Sequence, residues 1–323
     1  MRSVFNLIVF LLLISSAASF GNVSVTTYNM GQLKKKGLDF VACTKKRVQP
    51  QMEALFNRET SPLFKEKHFV LFLQEAWTKR VYRALKAEVE KNGFYMHPQT
   101  YKEVKNNGQI SITNLKPIET VFVPFSQDSH AKKGMLYMKL DMGDGTTLGA
   151  TNVHTTYSDL KRFGDKHELH FKEISDFIEG QKQKTDHFIV GGDFNAGPDM
   201  EFKNQKYNSQ KIVWEDGFMP SVIENEMKLI TDDGINTWDE TCNSLVSKPT
   251  FIIRMMNLMS RQKPSWDTRD SSLDHLLVSN HTNVIKHEIV FDKPVPMRCP
   301  GREDKDGNVP LSDHYGVNAI LEM

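Results

Sequence analysis

The feature that most constrains this chain is a recurring pairing of an apolar run with a polar end. Segment 26–29 ends in Asn29, 73–75 in Glu75 and 151–154 in His154. Segment 191–195 ends in Asp193 and Asn195, and 311–314 in Asp313 and His314. Asp274 opens a further apolar run. A strand buries its apolar residues and leaves its ends at the sheet edge, so packed strands gather such ends in one cleft. Taken singly, an Asn or Glu after a strand is usually a turn former or a solvated end. The repetition is what points to a site.

The rest of the chain reads as mixed α and β. Strands are expected at 23–28, 68–73, 109–113, 121–125, 135–140, 147–153, 187–190, 273–279 and 317–321, from apolar runs or β-branched alternation. The turn residues of 141–145 make 135–140 and 147–153 a hairpin. Helices are expected at 49–58, 79–91 and 159–179, where apolar residues recur at helical spacing. Hairpin-linked strands among helices indicate a layered architecture with much antiparallel pairing. No repeat and no Pro/Gly linker divides the chain, so 20–323 reads as a single catalytic domain.

Residues 1–19 are set apart. Arg2 precedes an apolar run over 4–14, followed by small residues at 15–19. That is the order of a secretory signal peptide, with cleavage near Ala18 or Ser19, and the run is short for a membrane span. The chain is therefore expected to be exported, secreted or periplasmic. Loss of Arg2 leaves 40 basic against 40 acidic residues, because the whole chain has 41 and 40. A neutral chain is not a strongly basic nucleic-acid binder, although a local basic groove is compatible with it. Export permits disulfides. Of Cys43, Cys242 and Cys299, the pair Cys242–Cys299 is expected, since both lie in loop-like sequence; the odd count leaves one over.

Asn, Glu and Asp oxygens suit a hard divalent cation such as Mg²⁺, and the set contains no thiolate. Two histidines can supply acid–base chemistry near neutral pH, and a carboxylate beside one raises its basicity. Together they are suited to hydrolysing a phosphate ester with activated water. In this order, from 23 to 321, the segments resemble the endonuclease/exonuclease/phosphatase superfamily, which includes pancreatic-type deoxyribonucleases, neutral sphingomyelinases and inositol polyphosphate 5-phosphatases. Segments 192–195 and 312–314 are the most specific pieces.

The resemblance implies an α+β fold, a four-layer α/β/β/α sandwich of two packed, largely antiparallel sheets. It implies a metal-dependent phosphodiesterase with Mg²⁺ as cofactor, Mn²⁺ or Ca²⁺ being the alternatives. Glu75 would be the main metal ligand, with Asn29 and Asp313 at the same site. His314 would be the general base, oriented by Asp274. His154 would protonate the leaving oxygen or steady the developing charge. Asp193 and Asn195 would hold water and phosphate oxygens. Members differ over the base, so Asp193 and His314 share that assignment. His170 and His275 fall outside the motifs and are read as structural.

Three segments bear on the substrate. Lys132, Lys133 and Gly134 resemble the Lys-Gly entry into a strand of sphingomyelinases, and equally suit a charged hairpin start. Segment 251–266 is apolar with interspersed cations, which suits either peripheral membrane contact or an outer helix. Lys34, Lys35 and Lys36 suit any phosphate backbone or a solvated loop. The expected partner is a phosphodiester, first a phospholipid headgroup cleaved as a sphingomyelinase would. DNA cut by a secreted deoxyribonuclease comes second and a phosphoinositide third. A non-catalytic membrane-binding scaffold is disfavoured because no motif residue is missing. A monomer is expected.

Overall fold

The computed structural model describes residues 21–35, 38–127, 131–156, 164–198, 213–231, 236–239, 241–248, 250 and 271–323. The expected signal peptide at 1–19 and the segment 251–266 lie outside the described residues. Along the chain run β1 (Asn22–Asn29), β2 (Lys34–Lys35), β3 (Leu38–Asp39), β4 (His68–Gln74), β5 (Tyr95–His97), β6 (Ile110–Thr113), β7 (Lys116–Pro124) and β8 (Gly134–Asp141). There follow β9 (Thr147–His154), β10 (His187–Asp193), β11 (Met227–Leu229), β12 (Asp274–Ser279), β13 (Asn283–Val290), β14 (Val295–Pro296), β15 (Asn308–Val309) and β16 (Gly316–Glu322). The main helices are α1 (Thr44–Phe56), α2 (Lys79–Asn92), α3 (Tyr101–Asn107) and α4 (Gly164–Lys182).

Two six-stranded sheets form, in the orders β13-β16-β1-β4-β6-β5 and β11-β12-β10-β9-β8-β7. Each is antiparallel except for one central parallel pair, β1 with β4 and β9 with β10. Alternation along the strands builds the layers. Val70 and Phe72 of β4 face the other sheet, against Ile189 and Leu276. Phe69, Leu71 and Leu73 face outward, under Val48, Met52 and Leu55 of α1 and Val81, Leu85 and Val89 of α2. On the far side, Phe171, Ile174 and Ile178 of α4 cover Tyr137, Phe188 and Val190. Helices, two sheets and helices again make the expected four-layer α+β sandwich.

The central parallel pairs position the site. Parallel neighbours end at the same sheet edge, so Asn29 lies level with Gln74, beside Glu75, and His154 lies level with Asp193. The antiparallel partners begin there: Asp274 opens β12 opposite Asp193, and Asp313 and His314 lie just before β16.

The disulfide expectation is overturned. Cys43 bonds Cys299, across 256 residues of sequence. Cys43 caps α1 and lies over the β14–β15 hairpin, where Val41, Leu245, Cys299 and Val309 form a small apolar cluster. That packing is tertiary, and Cys242, the pair expected of Cys299, is left exposed. Helix α1 begins five residues before the expected 49, through Lys45, Lys46 and Arg47, and β10 runs on through Gly191 and Gly192 instead of ending at them.

Candidate active site

All eight expected residues lie at one edge of the sandwich. Asn29, His154, Asp193, Asn195, Asp274, Asp313 and His314 are buried, and Glu75 is half-buried. Two of them leave their strands by a backbone step in the left-handed region, Glu75 at φ 55° and Asn195 at φ 49°. Such a conformation costs about 1–2 kcal/mol in an L-residue and here turns each side chain away from the strand line. Gly192 is required by close approach: a β-carbon there would lie 1.9 Å from the Val153 carbonyl oxygen. Only glycine lets β10 lie so close to β9 that Asp193 and His154 share the cleft.

Asp193 is the hub. Asn29 Nδ2 donates to its Oδ2 at 2.9 Å, and the Asn195 amide donates to its Oδ1 at 2.9 Å. Asn29 and Asp193 come from different sheets, so this bond also joins the layers at the cleft. Asn29 Oδ1 accepts the Gly31 amide at 2.9 Å, which fixes the amide orientation. Asn195 Nδ2 donates to the Thr155 carbonyl at 3.1 Å. The Asp193 carboxylate is thereby held from both sides.

Beside it lie two histidine pairs. His314 Nδ1 is 2.8 Å from Asp274 Oδ2, and Trp238 packs edge-on against the His314 ring at 5.0 Å. Burial alone would lower the His314 pKa. The charge and hydrogen bond of Asp274, with Asp193 and Asp313 behind, push it up to about 10. His154 has the opposite setting. Its Nε2 is 3.5 Å from Asp193 Oδ2 and 2.7 Å from Lys133 Nζ. Burial, then Lys133 and His314, hold its pKa well below the ordinary value. A neutral His154 thus accepts from the Lys133 ammonium, which also donates to the Thr155 carbonyl at 2.6 Å. Burial lowers the Lys133 pKa, while Asp193 and Glu75 oppose that shift.

Lys133 is the residue that motif reading left unassigned. In sequence it is part of a Lys-Gly strand entry; the fold puts its ammonium beside His154 and the Thr155 carbonyl. Lys34, by contrast, pairs with Asp39 at 3.1 Å within the β2–β3 hairpin. His275 and His170 do hold structural positions. His275 is bound by Thr231 Oγ1 at 2.8 Å and the Ala196 carbonyl at 2.8 Å. His170 stacks on Phe125 and bonds the Gln127 carbonyl at 3.1 Å.

The donor set fits a divalent cation. Asp193, Asp274 and His314 each offer a ligand atom, all within 4.8 Å of one another. The His314–Asp274 pair already balances charge there. The neighbouring carboxylates lack such balance: burial, then the charge of Asp313, push the Glu75 carboxyl up to about 7. A hard cation held by oxygen ligands would relieve that repulsion.

No protein-family model matches the sequence, and no curated protein does either. Solved structures do match. Sphingomyelinase C from Streptomyces griseocarneus superposes with a TM-score of 0.60 at 16% identity, over 92% of this chain and 98% of that one. TDP2 from Caenorhabditis elegans gives 0.59 at 15% identity, over 94% and 74%. D. rerio TDP2 complexed with a single-strand DNA product gives 0.56 at 14% identity, over 94% and 99%. The likeness spans nearly the whole chain and is one of architecture: this protein has the fold of the endonuclease/exonuclease/phosphatase superfamily.

Proposed function

We propose that the chain is an exported, divalent-metal-dependent phosphodiesterase acting on a phospholipid, with sphingomyelinase-like cleavage at the headgroup. The observation that carries this reading is the convergence on Asp193: Asn29 and Asn195 fix its carboxylate, and the His314–Asp274 and Lys133–His154 pairs flank it. Glu75, Asn29 and Asp313 would hold Mg²⁺, or Mn²⁺ or Ca²⁺ in its place, and the ion would supply Lewis-acid polarisation of a phosphoryl oxygen.

The protein's own residues do the rest. Asp193 would accept the proton of the attacking water, while His314, its partner in that assignment, is already protonated beside Asp274 and would donate its proton to the leaving oxygen. Asp274 keeps the His314 ring oriented and its proton in place. Lys133 carries positive charge toward the pentavalent phosphorus, where preorganised donors matter most. His154, neutral in the free site, accepts the hydrogen bond of the Lys133 ammonium and holds it in the cleft. Asn195 steadies the phosphate oxygens, and Asn29 serves the metal.

Two features favour lipid over DNA. Lys133 and Gly134, the segment that resembles the sphingomyelinase strand entry, place a cation inside the cleft. Segment 251–266 carries apolar residues among cations, and we assign it peripheral membrane contact. Disulfide Cys43–Cys299 supports export, since such bonds persist in oxidising compartments. A secreted deoxyribonuclease is the second reading, favoured by the match to a TDP2 complexed with a single-strand DNA product. The protein would act as a monomer.

The deciding experiment gives the mature protein sphingomyelin vesicles in one tube and plasmid DNA in another, with Mg²⁺. Release of phosphocholine that EDTA and His314→Ala both abolish is expected. Nicked plasmid with intact lipid would replace the lipid reading by the nuclease one, and no cleavage of either would remove both.

A further inference from the structure

Arg47 is fully buried, and among the described residues it makes no ion pair. Charged side chains are almost never buried in that way without a partner of opposite charge. Its donors go to main-chain carbonyls instead. Nη1 reaches Met30 at 3.1 Å and Leu311 at 2.7 Å, Nε reaches Ala42 at 3.0 Å, and Nη2 donates to Gly31. Met30 and Gly31 follow Asn29, and Leu311 precedes Asp313. The guanidinium therefore ties together the two turns that carry two of the assigned metal ligands.

Other contacts act on the same joint. Gln51, four residues on along α1, donates to the carbonyls of Met30 and Leu311, each at 2.8 Å. Ser312 Oγ donates to the Asn29 carbonyl at 2.7 Å. Gly31, at φ 55°, leaves no room to spare: a β-carbon would lie 2.1 Å from Asp313 Oδ1. The turns are thus in contact, and one face of α1 sets their spacing. The planar five-donor fork of arginine can serve several carbonyls at once, and a lysine ammonium of the same charge cannot match that geometry.

We propose that Arg47, with Gln51 one turn later, is the positioning residue of the metal-binding half of the site, fixing the separation of Asn29 and Asp313. It touches neither the metal nor the substrate. This inference rests on the metal assignment made above, and the test separates the two.

Mn²⁺ binding to the purified full-length mature protein is measured by calorimetry for wild type, Arg47→Lys, Gln51→Met and Glu75→Gln, with circular dichroism as the control for folding. Arg47→Lys keeps the charge and loses the fork. It should weaken Mn²⁺ binding by about 10- to 100-fold, as loss of an outer support does. Turnover should recover at saturating metal, with KM for the ester near that of wild type. Gln51→Met should weaken binding in the same direction and less. A folded Arg47→Lys with wild-type Mn²⁺ affinity overturns the proposal, as does turnover lost at saturating metal with affinity unchanged. If Arg47→Lys does not fold, Gln51→Met decides, and wild-type affinity in that variant overturns it. If Glu75→Gln binds Mn²⁺ as wild type does, the metal assignment falls and the proposal with it. If only Glu75→Gln weakens binding, the assignment stands and the positioning role falls.

Discussion

The two histidines of the cleft, His154 at the end of β9 and His314 just before β16, are held in opposite protonation states. His314 faces the Asp274 carboxylate at 2.8 Å and keeps its proton up to about pH 10. His154 faces the Lys133 ammonium at 2.7 Å and stays neutral through the ordinary range. Burial lowers both, and it is the largest single influence on each. At His314 the carboxylates together outweigh burial, whereas at His154 the ammonium adds to it. Chemistry that needs both a proton carrier and a proton-free acceptor is met by one residue type in two electrostatic settings. The residue name at a motif position therefore says less than the charge placed beside it.

The strongest way to break this contrast is Asp274→Asn. Without the carboxylate, burial should dominate at His314 and drop its pKa below the ordinary value, making it a second His154. Turnover should fall by about 10²–10⁴-fold, the usual contribution of a positioned acid or base. NMR titration of the His314 ring checks the cause independently of activity. Continued titration near pH 10 in Asp274→Asn would show that another group holds the proton.

The converse change is Lys133→Met. It removes the ammonium and should let the His154 pKa rise, though not to the ordinary value, because burial remains. Turnover should fall by about 10²-fold if Lys133 faces the developing charge, the scale seen when one such donor is lost. Unchanged turnover, with the His154 pKa moved as expected, would keep the electrostatic account and remove Lys133 from the chemistry.

Lys133 also shows where the sequence was legible and where it was not. The expected site residues were found because they end or open apolar runs, and strand ends are visible in one dimension. The layers were implied by the resemblance and not by the pattern: 68–73 is apolar throughout, which marks a buried strand without saying which residues face which layer. Lys133 precedes its strand, and its place depends on pairing: Gly134 lies opposite His154 in the β8–β9 hairpin. That register follows by counting outward from the turn at 141–145, so the signal was present in a hairpin already expected. Arg47 and the Cys43–Cys299 bridge had no such signal. Arg47 is the third of three consecutive cations at 45–47, ahead of the expected helix start at 49, and only the docking of α1 on the 30–31 and 311–313 turns buries it. The bridge depends on the α1 cap meeting the β14–β15 hairpin, a contact between segments more than 250 residues apart.

The smallest effect, and the one that sharpens the contrast without touching catalysis, is the pH dependence of stability in metal-free protein. His314 is raised in the folded state, to about 10 from 6.5. Its contribution is fully present below about pH 6.5 and is lost as pH rises through about 10, because there the folded chain binds the proton the unfolded chain has released. His154 is lowered, so its sign is reversed: below pH 6.5 the unfolded chain takes up a proton that the folded chain refuses, and stability falls toward acid. His314→Gln should therefore flatten the alkaline side of the Tm profile. His154→Gln should relieve only part of the acid side, since His167, held near 3, and His170 and His275, both near 4, act in the same direction. The His154→Gln change should amount to a few degrees, given about 2–4 °C per kcal/mol in a domain of 150–250 residues and less in a longer one. Scanning calorimetry run from well below pH 6.5 to the alkaline side of about 10 measures both variants against wild type. Parallel curves for wild type and His314→Gln above pH 7 would mean that His314 carries no extra proton in the folded state, and the contrast between the two histidines would collapse.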